Sequence, residues 1–318
     1  MLIYVVKRIA YIALILVVMS LLIFAITQIL PGNVARMIAG QFASPESIKA
    51  IEIKLGLDEP LALQYWHWAA GVLSGDLGHS LIMERPVGPL VRTALANSAV
   101  LAGISFVLVV VLGIGLGVVA AIRHNGLLDH CISVFTYFGI SVPEFFWGIV
   151  LVLIFARYLQ WLPSAGAPDP GAGLGLWLAH LVLPAATLTF TLIAHVSRLT
   201  RSSMIEVLRS QYVLNARAKG LPERVVILGH ALRNALLPTI TVLAIDVGWL
   251  IGGVVVIEAV FAYPGLGRLL VFAIERHDLP LIQASILVIT AIYCVANLIA
   301  DLLYAYVNPR IRYGGAGV

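Results

Sequence analysis

Two stretches of this chain, Ile9–Leu30 and Ser98–Ile122, contain no charged residue at all. A helix rises 1.5 Å per residue and spans the hydrocarbon core of a bilayer with about 20 residues. Both stretches exceed that length. Backbone N–H and C=O groups in lipid have no water to bond, and a helix satisfies them internally. Four further runs meet the same test: Ile132–Ala156, Leu176–Val196, Ala235–Ile257 and Leu281–Val307, each with at most one acidic residue. The fourth of the six, Leu176–Val196, is the least hydrophobic and is interrupted by Pro184. The expected fold class is therefore an all-α integral membrane protein with six transmembrane helices, organised as one domain over 1–318.

Composition agrees. At 61% hydrophobic, 11% charged and a mean hydropathy of +1.00, the 318 residues carry more apolar surface than a soluble domain could hide. The first run follows Lys7-Arg8, as a signal peptide would. It is too long for one, and Ile29-Leu30-Pro31-Gly32 lacks a small-x-small cleavage pattern, so it is expected to be a retained span. A net charge of +4 with a pI near 9.1 is consistent with nucleic-acid binding only if the basic residues share a face. Here they are spread over short loops, and topology explains them better than nucleic acid does. Cys131 and Cys294 both fall in apolar segments, where neither a disulfide nor paired metal ligation is expected.

Orientation follows from Lys and Arg. With the N-terminus inside, Lys7, Arg8, Arg123, the seven basic residues from Arg198 to Arg233, and Arg310 with Arg312 are cytoplasmic, twelve of the 20. Most of the others lie in the long stretch after the first span, where the charge rule is weakest. Both termini are thus expected inside. The extracytoplasmic stretch 31–97 is too rich in helix and turn signals for a linker and should fold as a cap. In it, Leu57-Asp58-Glu59-Pro60-Leu61 reads as a turn into a helix bearing Tyr65, Trp66 and Trp68, and Gly75-Asp76-Leu77-Gly78-His79-Ser80 as a further turn.

Between the fourth and fifth runs, Glu206–Pro238 is a polar, arginine-rich island in an otherwise apolar chain. Ser203 to Lys219 has good helix formers and a basic end, and Gly220 and Pro222 follow as a stop and a restart. The region 203–221 is expected to be a cytoplasmic helix, a sharp corner and a second helix feeding the fifth span. If the corner has positive φ, Gly220 is required there.

The string Asn215-Ala216-Arg217-Ala218-Lys219-Gly220-Leu221-Pro222, followed by His230-Ala231-Leu232-Arg233-Asn234-Ala235-Leu236-Leu237-Pro238, resembles the coupling loop of permease subunits of ABC importers. The form is that of the dipeptide, oligopeptide and nickel branch. Leu214 and Asn215 stand at the opening positions, where the general pattern has a glutamate. Further likeness lies in the opening from Arg8 to Pro31-Gly32 and in Gly75-Asp76-Leu77-Gly78. It continues in Pro143-Glu144-Phe145-Phe146-Trp147-Gly148, in Glu258-Ala259-Val260-Phe261-Ala262-Tyr263-Pro264-Gly265-Leu266-Gly267, and in the tail Asn297 to Tyr304 and Asn308 to Arg312. The chain is similar to the B-type permease of this branch over nearly all its length.

The resemblance implies a bacterial-type inner-membrane importer. Its parts are this chain, a second homologous permease, two ATP-binding subunits and an extracytoplasmic substrate-binding protein. Cargo would be a dipeptide or oligopeptide, with glutathione or a nickel complex as alternatives. It implies that Glu206, Tyr212, Ala216, Arg217, Ala218, Lys219, Gly220 and Leu221 carry the coupling to the ATPase. No cofactor is expected. None of the four lysines closes a phosphate-cradling Gly-Lys-Ser/Thr loop, so hydrolysis must come from a partner and the chain itself is expected to be non-catalytic.

Ionisable groups at membrane depth are costly and mark candidate sites. Asp246, near the middle of the fifth run, either lines the pathway and receives a positive group such as a peptide amino terminus, or staples neighbouring helices. Glu144 follows Pro143, a structural break, and Asp301 sits near an end. In the competing class, a secondary transporter driven by an ion gradient, Asp246 and Glu144 would be the coupling carboxylates. Against an intramembrane enzyme, this sequence has no HExxH and no Gly-x-Ser-x-Gly motif. His180 and His195 are too far apart for a one-face metal site. Gly113, Gly115 and Gly117 lie inside an apolar span, so close helix packing explains them better than a nucleotide loop.

Overall fold

The computed structural model describes residues 2–29, 44–54, 58–168 and 171–307. Leu30, the Pro31-Gly32 step, Leu57 and the tail from Asn308 to Arg312 lie outside the described residues, as does part of the expected cap. Eleven helices follow one another among the described residues: α1 (Leu2–Ile29), α2 (Pro45–Lys54), α3 (Leu61–Ser74), α4 (Val87–Ile122), α5 (Leu127–Ser141), α6 (Glu144–Tyr158), α7 (Leu174–Leu208), α8 (Gln211–Ala218), α9 (Glu223–Val260), α10 (Leu266–Glu275) and α11 (Leu279–Val307). Single π-helical turns interrupt α4 at Val109–Gly113 and α9 at Val226–Ala231, and close α6 at Val152–Tyr158. The only bridge among the described residues is the isolated pair His79 and Pro86.

Five of the helices are long and apolar enough to cross a membrane: α1, α4, α7, α9 and α11. The run expected to be the third span, 132–156, is instead the pair α5 and α6, which meet at 107°. Taken together they bring the spans to six. The break has a local cause. Proline disfavours the helical region for the residue before it, and Val142 is extended at φ −127°, ψ 139°, directly ahead of Pro143.

The chain divides into two compact units, one made of Met1–Ala96 with Arg268–Cys294 and the other of Asn97–Gly267 with Val295–Val318. In the first, α1 and α3 pair through Phe24, Tyr65 and Trp68, whose ring centroids lie 5.5–6.0 Å apart. The Ser20 and Tyr65 hydroxyls are 2.8 Å apart beside them, and the Gln283 amide donates to Thr27 at 2.8 Å. The turn after α3 forms as its sequence indicates. Gly75 sits at φ +88° with Asp76 N–H donating back to Gly71, and Gly78 N–H donates to the Asp76 carboxylate at 2.9 Å.

The second unit is built round α7. Half of its apolar window is buried, against 6% for α1. That reverses the order of hydrophobicity, and the reason is what each helix touches. A helix enclosed by protein can carry hydroxyls that lipid would penalise. Thr187 donates to the Leu183 carbonyl at 2.8 Å, and Thr200 and Thr239 lie 3.1 Å apart. Leu188, Leu192, Ile193 and Val196 of α7 pack with Leu101 and Val109 of α4 and with Leu250, Val254 and Ile257 of α9. The glycines of α4 allow the approach. A side chain at Gly113 would meet Val196 at 2.8 Å, and one at Gly117 would meet the Ser197 carbonyl and Thr200 at 2.6 Å, whereas Gly115 faces open space.

Candidate functional site

The polar island folds as a knuckle. Its span helix runs on past Val196 to Leu208, because Ser197, Thr200, Ser203 and Met204 continue the buried face of α7. The helix expected to carry the coupling, α8, therefore starts at Gln211 and not at Ser203. Arg209 and Ser210 separate the two helices, Ser210 being extended at ψ 151°. α8 then ends at Ala218, Lys219 and Gly220 donate back to Asn215 and Arg217, and Gly220 turns the chain at φ +76°. Pro222 precedes α9.

A small apolar core of its own holds the knuckle. Val213 and Ala216 of α8 pack with Ala121 of α4, Met204 of α7 and Val226, Ala231 and Ala235 of α9. The expected coupling residues are thereby sorted by direction. Ala216 faces inward, while Glu206, Tyr212, Ala218, Lys219, Gly220 and Leu221 are exposed. Arg217 folds onto Glu223 through two bonds of 2.5 and 3.2 Å, and that carboxylate raises the guanidinium's pKa. The Asn234 amide donates to the Tyr212 hydroxyl at 2.8 Å. Leu214, Leu221, Val225 and Leu228 remain exposed among these polar groups. An apolar patch rimmed by charges and fixed on a packed base suits docking by another protein.

One brace near the knuckle escaped sequence reasoning. Asp129, only 2% exposed, accepts from Arg201 at 2.5 and 2.7 Å and from the Asn125 backbone N–H at 2.9 Å, with His124 3.4 Å away. It ties the α4–α5 turn to α7 about two turns before the knuckle. The available signal was an aspartate just ahead of an apolar run, opposite a basic residue just after one. Arg201→Ala is expected to cost about 2–3 kcal/mol, since the buried carboxylate loses its charged partner and keeps only the Asn125 N–H and the nearby His124, while that partner was itself partly exposed. The double variant Arg201→Ala with Asp129→Asn should recover part of that loss, measured as the thermal midpoint in detergent.

The two candidate pathway carboxylates come from different helices, Asp246 from α9 and Glu144 from α6. Asp246 is 5% exposed; its Oδ1 is 3.9 Å from His195 Nδ1, and its Oδ2 has no hydrogen-bond partner among the described residues. Glu144, in the first turn of α6, lays its carboxylate against Gly253, where a side chain would meet it at 2.8 Å. No group of three or more histidine, cysteine or acidic side chains that could hold a metal occurs among the described residues, at His195 and His180 included.

Two further buried carboxylates organise corners. Glu258 accepts from the Gly267 N–H at 2.7 Å, Ser98 from the Leu266 N–H at 2.8 Å, and the Pro264 carbonyl from Asn97 at 2.8 Å. Burial, with the Glu258 carboxylate adding to it, pushes the Tyr263 hydroxyl up to about 12. These bonds account for the Glu258 to Gly267 motif as a folded corner. In the other unit Asp278, fully buried between α10 and α11, accepts from the Ser80 hydroxyl and from the Leu81 and Ile82 N–H groups at 3.2 and 3.3 Å. Backbone donors arriving from distant sequence leave no periodic trace.

The pattern of the family described as binding-protein-dependent transport system inner membrane component matches residues 113–313, and that of the N-terminal membrane component of the same systems matches residues 1–87. A relative in Sinorhizobium fredii called probable peptide ABC transporter permease protein y4tP is 39% identical over 311 residues, covering 98% of this chain and 99% of its own. The glutathione transport system permease protein GsiC of Escherichia coli O6:H1 is 40% identical over 313 residues, covering 98% of this chain and all of its own. A solved amino acid ABC transporter with histidines is 16% identical, covers 70% of this chain and 94% of that one, and has a TM-score of 0.48.

Proposed function

The chain belongs to the inner membrane component family of binding-protein-dependent transport systems and is a permease subunit of an ABC importer in the dipeptide, oligopeptide and nickel branch; from that premise we propose that it carries peptides. In this reading it is a non-catalytic, multi-pass subunit of a bacterial inner (plasma) membrane. It forms half of a translocation pathway with a second homologous permease. Two ATP-binding subunits drive it, and an extracytoplasmic protein delivers the substrate.

The observation that carries the reading is the packed base of the α8 knuckle. Val213 and Ala216 join α8 to the ends of α4, α7 and α9, so a push on the exposed Tyr212, Leu214 and Leu221 moves three spans together. Glu206, Ala218, Lys219 and Gly220 complete that face. A peptide cargo is supported by two relatives whose names specify peptide and glutathione, the latter itself a tripeptide. Asp246 is the pathway carboxylate for the amino terminus, and Glu144 of α6, packed against Gly253 of α9, is a second carboxyl group beside it in the pathway.

The test is purification of the tagged chain from membranes of the cells that make it, followed by reconstitution. Recovery of an ATP-binding subunit and a second permease, with peptide uptake that requires ATP and binding protein, is the expected result. Uptake by the chain alone under an ion gradient, without ATP, would sink the importer reading and leave Asp246 as a gradient-coupling carboxylate.

A further inference from the structure

The second unit has a cleft of about 460 Å³ on the arginine-rich end of α7, lined by His195, Arg198, Leu199 and Ser202 of α7 and Val242 of α9. Residues 195, 198, 199 and 202 are spaced three and four apart, so they share one helix face. Two observations separate this cleft from an ordinary solvated surface. The Arg198 guanidinium makes no hydrogen bond or ion pair among the described residues, although Arg201, one turn on, is fully engaged by Asp129. And Asp246 lies one turn along α9 from Val242, buried, with one oxygen 3.9 Å from His195 and the other unpaired. A guanidinium fork, an imidazole and a hydroxyl on one face form a donor set for a carboxylate. The unpaired carboxylate oxygen beside them has the opposite need.

We propose that this cleft is a transient docking site for a zwitterionic substrate, in which Arg198, His195 and Ser202 take the terminal carboxylate and Asp246 takes the terminal ammonium. This rests on the reading that the cargo is a peptide, and it adds that the permease itself senses both peptide ends. His195 has two roles in turn. With the cleft empty it lies beside Asp246; as substrate arrives the ammonium displaces it, and its ring becomes a further donor to the carboxylate. Binding need only be weak, since a transport site must also release its cargo, so the selectivity here is a bias on the passing substrate.

The measurement is ATP-driven uptake by the complete reconstituted transporter with its binding protein, using one dipeptide with a free C-terminus and the same dipeptide amidated. Any preference of the binding protein enters wild type and variants alike, so the free-to-amidated ratio isolates the permease. Arg198→Gln is expected to lower uptake of the free peptide at least fivefold while leaving the amidated peptide within twofold, collapsing the ratio. Arg198→Lys, which keeps the charge without the fork, should restore at least half of it. Asp246→Asn should show the complementary pattern against an N-acetylated peptide. An Arg198→Gln protein that assembles and loses both peptides equally, or neither, overturns the proposal while the importer reading stands. If wild type takes up no peptide in the presence of ATP, the peptide reading fails and this inference with it.

Discussion

Gly267→Val is expected to leave little folded protein in the membrane. A side chain at position 267 would fall inside the backbone of Val255 of α9, an obstacle that cannot rotate away. Overpacking a well-filled core costs about 1–3 kcal/mol when side chains can shift, and backbone on backbone should exceed that, a large fraction of a typical stability of about 5–15 kcal/mol. Gly265→Ala is the milder case. Its methyl group would overlap the Glu258 carboxylate, which would have to swing off the Gly267 N–H, a loss of about 1.5–3 kcal/mol for a charge-assisted bond. Gly252→Ala, which meets nothing within 4 Å, should be silent. Monodisperse yield on size exclusion and the thermal midpoint in detergent rank the three. Equal yields for Gly267→Val and Gly252→Ala would mean that the α9–α10 corner yields to a side chain at position 267.

Gly220→Val should do the opposite, sparing the fold and abolishing work. No atom lies within 4 Å of a side chain at this position, so nothing clashes. The penalty is conformational, because a β-branched residue is a rare occupant of φ +76°. The local cost is about 1–2 kcal/mol, and the chain can escape it by re-aiming the corner between α8 and α9. The knuckle would then transmit its push in the wrong direction. Peptide uptake is expected to fall at least tenfold with yield and thermal midpoint little changed, while ATP hydrolysis by the partner subunits persists without transport. Gly220→Asn, which tolerates positive φ, should keep most of the uptake. Normal uptake by the valine variant would show that the corner's geometry plays no part in coupling.

How much of this was legible beforehand varies by residue. The spans were, because lipid admits few solutions to the backbone's hydrogen-bonding demand and length alone reports them. The need for Gly220 was also legible, since Gly and Pro punctuate a helix in a fixed order. The 107° break at Ser141–Pro143 was only half legible. Proline announced a disturbance, but a 25-residue apolar run reads alike whether it is one rod or two. The start of α8 was misplaced because Ser203 and Met204 are as good in a cytoplasmic helix as in a buried extension of a span. Among the coupling residues, nothing local separated Ala216, which packs inward, from Ala218, which faces out.

By itself, then, the sequence determined that this protein is a helical membrane permease, with apolar runs long enough to span and one polar, arginine-rich island between two of them. Those properties depend on composition summed over about 20 residues or on φ preferences at single positions, both of which are local. Only the tertiary structure decided which carboxylates are held by donors and which keep an oxygen unpaired. Asp129, Glu258 and Asp278 are each committed to donors that arrive from elsewhere in the fold, while Asp246 keeps an oxygen unpaired beside a histidine and an arginine-lined cleft. An aspartate's role is fixed by the donors within about 3 Å of it, and when those come from distant sequence no one-dimensional pattern records them.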